Sequence, residues 1–291
     1  MGRLRNGLLV DGFCRPTFAR AAGIVSDTHN NMPNRAKGRR YPIEISGVAW
    51  LDLLGYGSML RPIKFDPSHA DAQQAVKRLE AFQRIAAKAA MRHMPALIVN
   101  DGIAYVRELS PRTRAVSYDF LHRVFNSFRA VNDIDQKAGF PGARMIVATG
   151  PRLRISGVVR PDTVHLASIL ERFSEGAITA NQAIREAFRS APLTGSVSQL
   201  QANFAFTKAY LADEAGGAYG FKGNHCFVDA ALFADPPPKW LSISKSFDWT
   251  TDGMSARFLQ VAAIDNHGAG AVNHKGMHNA LDVARTLGIT Y

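Results

Sequence analysis

The sequence predicts an α+β fold in which helices cover a mixed β-sheet, and three observations support this prediction. Two apolar runs, at residues 43–54 and 143–149, end in glycine-containing turns, as strands do. The segments between them repeat apolar residues at helical spacing. An Asp-Gly step at residues 101–102 joins two more apolar runs and indicates a hairpin. Because strands and helices do not alternate regularly, we do not expect a wholly parallel sheet.

A basic segment, residues 1–42, precedes the first strand. Residues 1–40 contain eight Lys or Arg and two Asp, which is +6 of the chain's formal net charge of +11. We interpret this segment as an N-terminal arm. Nucleic-acid binding is an alternative, but the arm lacks the interleaved aromatic residues of a single-strand platform. A basic balance also suits a protein that receives polyanionic nucleotides.

The first half of the expected domain contains a strand, a helix and a two-stranded hairpin, in that order. After the strand at 43–54, a helix is predicted over residues 72–92, with its start near Pro67 and its end before Pro95. The runs at 96–99 and 103–106 then form the hairpin, with Asp101 at its tip. A hairpin that follows a βα unit is typical of ferredoxin-like and palm-like sheets.

The second half is predicted from the same signals. The expected elements are a helix around 120–131, a strand at 143–149 closed by Gly150-Pro151, a helical region at 162–190 broken near Gly176, a helix at 198–215 ended by Gly216-Gly217, and strands at 226–233 and 241–249. We therefore expect one domain over residues 43–250, with a helical insertion at about 160–192. Residues 251–291 are expected to form a C-terminal tail that packs on or near this domain.

The apolar segments and the cysteines of the sequence indicate where in the cell the protein is expected. The apolar piece near the N-terminus, Leu8-Leu9-Val10, is too short for a signal peptide core. No segment approaches the roughly 18 to 20 apolar residues that a membrane span needs. Cys14 and Cys226 lie far apart, so a disulfide framework is not expected. These features predict a cytoplasmic protein without a membrane span.

Two aspartates stand at the ends of apolar runs and suggest metal chemistry. Asp52 ends the first strand, and Asp101 occupies the hairpin tip 49 residues later. If the hairpin pairs beside the first strand, the two carboxylates meet. Mg²⁺ and Mn²⁺ prefer such hard oxygen ligands, and two ions held together support phosphoryl transfer. The plainer interpretation is that each aspartate is an ordinary cap or turn residue.

A short glycine-containing turn follows the first aspartate. Backbone N–H groups in a turn of this kind can bind phosphate oxygens. The predicted phosphate-binding residues are Leu54, Gly55, Tyr56, Gly57 and Ser58.

The stretch Trp50-Leu51-Asp52-Leu53-Leu54-Gly55-Tyr56-Gly57 resembles the phe-x-asp-ile-x-gly-phe signature of class III nucleotide cyclases. Asn100-Asp101-Gly102 resembles their second metal carboxylate, and Asn203 to Lys208 resembles their asn-x-x-x-arg helix, so the likeness spans roughly residues 44–235. It implies a class III cyclase-like sheet and a head-to-tail homodimer with shared active sites. It also implies two Mn²⁺ or Mg²⁺ ions held by Asp52, Leu53 and Asp101, with Asn203 at the ribose and Lys208 at the triphosphate from the other chain.

The sequence departs from that family at two positions. Thr207 stands where the family has its arginine, and Lys208 follows it. A lysine cannot hold phosphate in a bidentate manner, so Arg152 or Arg154 could share that role. Leu97 stands four residues before Asp101, where purine cyclases carry a residue that reads the purine edge.

The missing purine reader points to a subset of the family: the pattern over residues 44–235 as a whole resembles the pyrimidine cyclases of bacterial antiphage signalling systems. This resemblance implies conversion of UTP to cyclic UMP, or of CTP to cyclic CMP, and an effector protein that responds to the product. Tyr56 is the candidate for contact near the nucleotide, and packing within its own loop is the alternative. A catalytically inactive, cyclase-like nucleotide sensor also remains open.

Overall fold

The computed structural model describes residues 41–154, 161–189, 197–251, 253–265 and 274–290. The basic arm predicted from the sequence lies outside this part of the chain, apart from residues 41 and 42. Within it, the α+β prediction is confirmed: helices cover both faces of a mixed sheet whose strand order is β2-β3-β1-β4-β5-β7-β6. The strands are β1 (Ile43–Leu53), β2 (Ala96–Val99), β3 (Gly102–Glu108), β4 (Ala143–Leu153), β5 (Cys226–Asp229), β6 (Leu241–Thr251) and β7 (Met254–Ile264).

Helices connect these strands and supply both apolar layers. They are α1 (Tyr56–Leu60), α2 (Ala70–Ala89), α3 (Ala115–Lys137), α4 (Pro161–Ser174), α5 (Ala180–Arg189), α6 (Phe204–Ala215) and α7 (Ala280–Thr286). Strand β1 is central, antiparallel to β3 on one side and to β4 on the other. Only β4 and β5 form a parallel pair among the named strands.

The alternation of side chains along β1 divides the core into two layers. Ile45, Ala49 and Leu51 face a layer completed by α2, α3 and α7. Val48 and Trp50 face the opposite layer, which α6 completes together with aromatic residues of β6 and β7. Asp52 has the same parity as Trp50, so its carboxylate lies on the α6 side of the sheet.

Several boundaries differ from the sequence-based expectations. Strand β4 does not stop at Gly150-Pro151 but continues to Leu153, paired with β1. Proline is tolerated at position 151 because β5 pairs only with residues 145–147 of β4. Pro151 lies beyond the part of β4 that pairs with β5. The helix expected over 198–215 begins only at Phe204, since Asn203 caps it after a short 3₁₀ turn. The strand expected over 226–233 ends at Asp229, where a 3₁₀ turn begins.

The C-terminal segment is part of the sheet. The domain boundary expected at residue 250 falls inside β6, and β7 lies between β5 and β6. Helix α7 buries Ala280, Val283 and Ala284 against the layer formed by α2 and α3. In the described part of residues 251–291, β7 and α7 are therefore structural elements of the domain.

The helical region predicted at 162–190 contains two helices, α4 and α5, which pack against each other. The two helices are separated near Gly176, which adopts a φ of 72°, and Arg172 of α4 pairs with Glu186 of α5. Among the helices of the described ranges, none combines the length and the apolar character needed to cross a bilayer.

Candidate active site

The structure brings the two predicted metal carboxylates together. Strand β3 runs antiparallel to β1 so that Asp52 lies opposite Gly102, the residue that follows Asp101. The backbone N–H of Leu53 donates to the carbonyl oxygen of Asp101 at 3.0 Å, which fixes the hairpin tip beside the end of β1. Asn100 makes the tight turn with a φ of 51°. Two carboxylates from sequence-distant segments thus share one end of the sheet.

The electrostatics of this end favour a bound cation. Burial, followed by the neighbouring carboxylates of Asp213 and Asp101, raises the pKa of Asp52 to about 7, and Arg144 opposes that rise. The carboxyl groups of Asp52, Asp101 and Asp213 thus interact with one another, and among the described residues Arg144 is the cation that opposes their effect on Asp52. Such a site suits a divalent ion, because the ion would remove the repulsion between the carboxylates.

An ion pair between β4 and α6 borders the carboxylates. Arg144 lies opposite Asp52 on β4, and its Nε donates to Oδ1 of Asp213 at 2.6 Å. The indole Nε1 of Trp50 donates to the other carboxylate oxygen of Asp213 at 3.2 Å. Asp213 is thereby held by two donors, and Oδ1 of Asp101 accepts from the side-chain amide of its neighbour Asn100 at 3.0 Å.

The turn after Asp52 offers backbone amides. The N–H of Leu54 is already bonded to Gly142 and that of Ser58 to Gly55. Gly55 adopts a φ of 75°, which permits the sharp change from β1 into α1. Within the described residues, no backbone acceptor is seen for the N–H groups of Gly55, Tyr56 and Gly57. These three are the amides that a phosphate could accept from.

Tyr56 and Leu97, the two residues considered for contact with the base, lie on opposite faces of the sheet. The ring of Tyr56 is buried in the layer of α2 and α3, at 7% exposure, so it shapes the turn and does not present a face to a base. Burial and the charge of Asp101 raise the pKa of its hydroxyl. Leu97 lies on β2 and packs, partly buried, against the layer that contains Trp50. It therefore shares the α6 side of the sheet with Asp52.

Two predicted substrate contacts, Asn203 and Arg152, lie far from Asp52 in the same chain. Asn203 accepts a hydrogen bond from Ser46, six residues along β1 from Asp52, which corresponds to about 20 Å. Arg152 pairs with Glu44 at the opposite end of β1 from Asp52, roughly 27 Å away. One chain therefore cannot bring these side chains to its own carboxylate pair.

Asn203 and Lys208 also have structural partners. The side-chain oxygen of Asn203 accepts from the N–H of Phe206, which caps α6. The Nζ of Lys208 donates to Oδ2 of Asp229 at 2.9 Å, with both side chains buried. Thr149 donates to the same carboxylate through its N–H and its hydroxyl. The predicted triphosphate contact of Lys208 would require this buried pair to open.

Sequence reasoning missed Arg144 and Asp213. Arg144 lies in the strand predicted at 143–149, but only the register between β1 and β4 places it opposite Asp52. Asp213 was assigned to a helix without a role, and the packing of α6 on the sheet brings it to Arg144. One feature of the sequence could have indicated Arg144: an isolated arginine in an otherwise apolar strand needs an acidic partner.

The donor set of the carboxylate pair fits Mg²⁺ or Mn²⁺. Asp52 and Asp101 provide hard oxygen ligands, and Leu53 could add only its backbone carbonyl, because its side chain is buried in the core. In the part of the chain that the structure describes, no group of three or more His, Cys, Asp or Glu side chains forms a complete cage. Such an open site matches an ion that shares its coordination with substrate phosphates.

No protein-family model matches the chain, and no curated protein matches it. Among solved structures, the chain is similar to the guanylyl cyclase Cya2, with 11% identity, a TM-score of 0.46, and coverage of 79% of this chain and 98% of that one. It is similar to the dimeric guanylyl cyclase domain of the RhoGC fusion protein from the aquatic fungus Blastocladiella emersonii, with 8% identity, a TM-score of 0.36, and coverage of 77% and 99%. It is also similar to the guanylate cyclase domain of RhGC from Catenaria anguillulae in complex with GTP, with 9% identity, a TM-score of 0.39, and coverage of 76% and 98%. Identities of this size say nothing about the substrate of this chain.

Proposed function

We propose that the chain is a class III-type nucleotide cyclase that converts UTP to 3′,5′-cyclic UMP and pyrophosphate with Mn²⁺ or Mg²⁺. The observation that carries this proposal is the meeting of Asp52 and Asp101 at one end of the sheet, beside the amides of residues 55–57. A carboxylate pair next to a phosphate-sized turn is the arrangement that nucleotide chemistry with two ions needs.

In this reaction the 3′-oxygen of the ribose bonds to the α-phosphorus, and the bond from the α-phosphorus to the bridging oxygen of pyrophosphate breaks. Asp52 and Asp101 would hold the ions, and the amides of Gly55, Tyr56 and Gly57 would orient the terminal phosphates. When bound, the ions supply positive charge that favours ionisation of the 3′-hydroxyl and neutralises the departing pyrophosphate. The released proton passes to water.

A homodimer would complete the site. Asn203 and Arg152 lie roughly 20 to 27 Å from Asp52 within one chain, so any contact they make with the substrate must come from a second copy. Mixing Asp52→Ala with Asn203→Ala protein should then restore part of the activity through one repaired site per heterodimer. If the subunits exchange and no activity returns, the shared site is wrong.

The pyrimidine preference follows from Leu97. This side chain lies on the same α6 side of the sheet as Asp52 and can neither donate nor accept a hydrogen bond. A purine edge would find no polar partner at that position, whereas a smaller base would leave room for other contacts. CTP is the nearest alternative substrate. The cyclic product would act as a signal in antiphage defence, read by an effector that binds cyclic nucleotides.

One assay tests the activity. The purified chain is incubated with each of the four nucleoside triphosphates and Mn²⁺, and cyclic products are separated and identified by mass. Cyclic UMP from UTP supports the proposal, and cyclic CMP as the main product would move the assignment to CTP. No product from any of the four would refute a cyclase of this kind.

A catalytically inactive nucleotide sensor is the second candidate. It is favoured by the internal use of Asn203 as a helix cap and of Lys208 in a buried ion pair. A sensor would bind UTP in the presence of Mn²⁺ without turning it over. Calorimetric titration beside the product assay separates the two functions.

A further inference from the structure

A buried arginine on the opposite face of the sheet holds the turn that follows Asp52. We propose that Arg78 is a positioning residue that fixes this turn and thereby sets the affinity of Asp52 and Asp101 for Mn²⁺. This inference rests on the proposed function of the carboxylate pair as a metal site. Arg78 belongs to α2, and its side chain is 2% exposed.

The guanidinium of Arg78 is bonded in two directions. Its Nε and Nη2 donate to the two carboxylate oxygens of Asp135 on α3, each at 2.7 Å. Nη2 also donates to the carbonyl oxygen of Leu54 at 2.8 Å. Nη1 lies 3.6 Å from the sulfur of Met59 in α1. Arg78 therefore contacts the segment after Asp52 at both of its ends, Leu54 and α1.

Asp135 fixes the other side of the same turn. Its Oδ2 accepts from the N–H of Gly142 at 2.8 Å, and the carbonyl of Gly142 accepts from the N–H of Leu54 at 2.9 Å. Both polar backbone groups of Leu54 are thus tied to the Arg78–Asp135 pair, one directly and one through Gly142. Leu54 is two residues from Asp52, so displacement of this anchor moves the end of β1.

Only an arginine can make this set of contacts. The planar fork donates to a carboxylate in a bidentate manner and still has a hydrogen for a carbonyl. A lysine at the same position would keep the charge opposite Asp135, but as a single point donor it could not hold both Asp135 and Leu54 in the same geometry. Arg78→Lys therefore separates the anchoring of the turn from the neutralisation of the buried carboxylate.

The test measures Mn²⁺ binding to the full chain without nucleotide, by the electron paramagnetic resonance signal of free Mn²⁺. Loss of the hydrogen-bond partners that orient the ligands of a metal site typically weakens metal affinity by roughly 10- to 100-fold. We therefore expect Arg78→Lys to bind Mn²⁺ at least ~10-fold more weakly than the parent, which is the unsubstituted protein. The matched control is Arg107→Lys, which alters an ion pair with Asp119 and does not contact the turn. It should bind Mn²⁺ as the parent does.

The outcomes separate the two proposals. If the parent binds no Mn²⁺, or if Asp52→Asn binds it equally well, the proposed metal site is wrong and this inference falls with it. If the parent binds at Asp52 and Arg78→Lys binds with unchanged affinity, only the positioning role is wrong. Each titration is run well below the melting temperature of its variant, so that the protein stays folded. If Arg78 contributed only to the overall stability of the fold, its substitution would then leave the Mn²⁺ affinity unchanged.

A second variant keeps the inference testable if Arg78→Lys does not fold. A cavity of about 260 Å³ between α2 and α3 is lined by Arg78, Asp135, Leu53 and Phe140, and gives access to the space that Arg78→Ala would vacate. Millimolar guanidinium should then restore Mn²⁺ affinity in Arg78→Ala, whereas sodium at equal ionic strength should not. A folded Arg78→Ala protein whose Mn²⁺ affinity is normal, or is not restored by guanidinium, would contradict the positioning role.

Discussion

Replacement of Asp52 by asparagine should stabilise the metal-free protein, although it removes a residue that we assign to the active site. In the folded chain the pKa of Asp52 is about 7, raised from 3.8 by burial, Asp213 and Asp101. Between these two values the folded state keeps a proton that the unfolded state has lost. Stability that is present at acidic pH is therefore lost as the pH rises toward 7. Above that pH the Asp52 carboxylate is ionised in both the folded and the unfolded state, and its burial then lowers the free energy of unfolding by the full amount.

The difference between 3.8 and about 7 is about 3 pKa units, at 1.36 kcal/mol for each, so the ceiling of this cost is about 4 kcal/mol. Solvent reaches part of the carboxylate, so we expect a gain of about 2 kcal/mol for Asp52→Asn at pH 8. For a domain of this size that corresponds to about 4 to 8 °C in melting temperature. At pH 4 most of the gain should vanish, because the folded carboxyl is then protonated and the unfolded one is only about half ionised.

The assay is thermal and urea unfolding in EDTA from pH 4 to pH 8.5. Asp248→Asn is the control: this exposed carboxylate is paired with Arg257, which lowers its pKa, so its loss should not stabilise the protein. Mn²⁺ should raise the melting temperature of the parent and leave Asp52→Asn almost unchanged, because a ligand stabilises only the state that binds it. A gain that is absent at pH 8, or equally large at pH 4, would refute the electrostatic reasoning.

Three further substitutions test the packing around the site, each by urea unfolding. Lys208→Met should cost about 3 to 5 kcal/mol, because it leaves the charge of Asp229 buried without its partner, and a loss below 1 kcal/mol would contradict the buried pair. Asn203→Ala should cost about 0.5 to 2 kcal/mol through the lost cap of α6, whereas Asn203→Ser should recover most of it. Gly102→Ala should cost about 1 to 3 kcal/mol, since its Cβ would collide with the Trp50 ring, and a neutral result would contradict this close packing.

The sequence predicted the elements whose periodicity is strong. Strand β1, the hairpin of β2 and β3, and helix α2 were located to within a few residues, because their apolar residues follow one period throughout. Helix α3 was located, but it extends from Ala115 to Lys137, well beyond the apolar stripe at 120–131 that predicted it. The Asp-Gly step predicted the hairpin of β2 and β3, but not the pairing of β3 with β1 that brings Asp52 and Asp101 together. Local signals were sufficient for the hairpin because β2 and β3 are adjacent in sequence, whereas Asp52 of β1 pairs with Gly102, which lies 50 residues later.

The remaining elements depend on tertiary contacts that no local pattern encodes. Strand β7 inserts between β5 and β6, and its alternation is interrupted by small residues such as Ala262 and Ala263. The approach of Asp213 to Arg144 requires α6 to pack across the sheet from 69 residues away. The two tethers of the turn, Arg78 and Asp135, resemble ordinary charged residues of amphipathic helices until the helices are packed.

The most direct test of the central claim is cyclic nucleotide formation from UTP and Mn²⁺ by the parent, Asp52→Asn and Asp101→Asn, with Asp248→Asn as the surface control. The account predicts cyclic UMP from the parent and the control, and a loss of turnover to background in both site variants, while circular dichroism shows that all four proteins are folded. Retained turnover in either Asp52→Asn or Asp101→Asn would contradict the assignment of these two carboxylates as the metal pair.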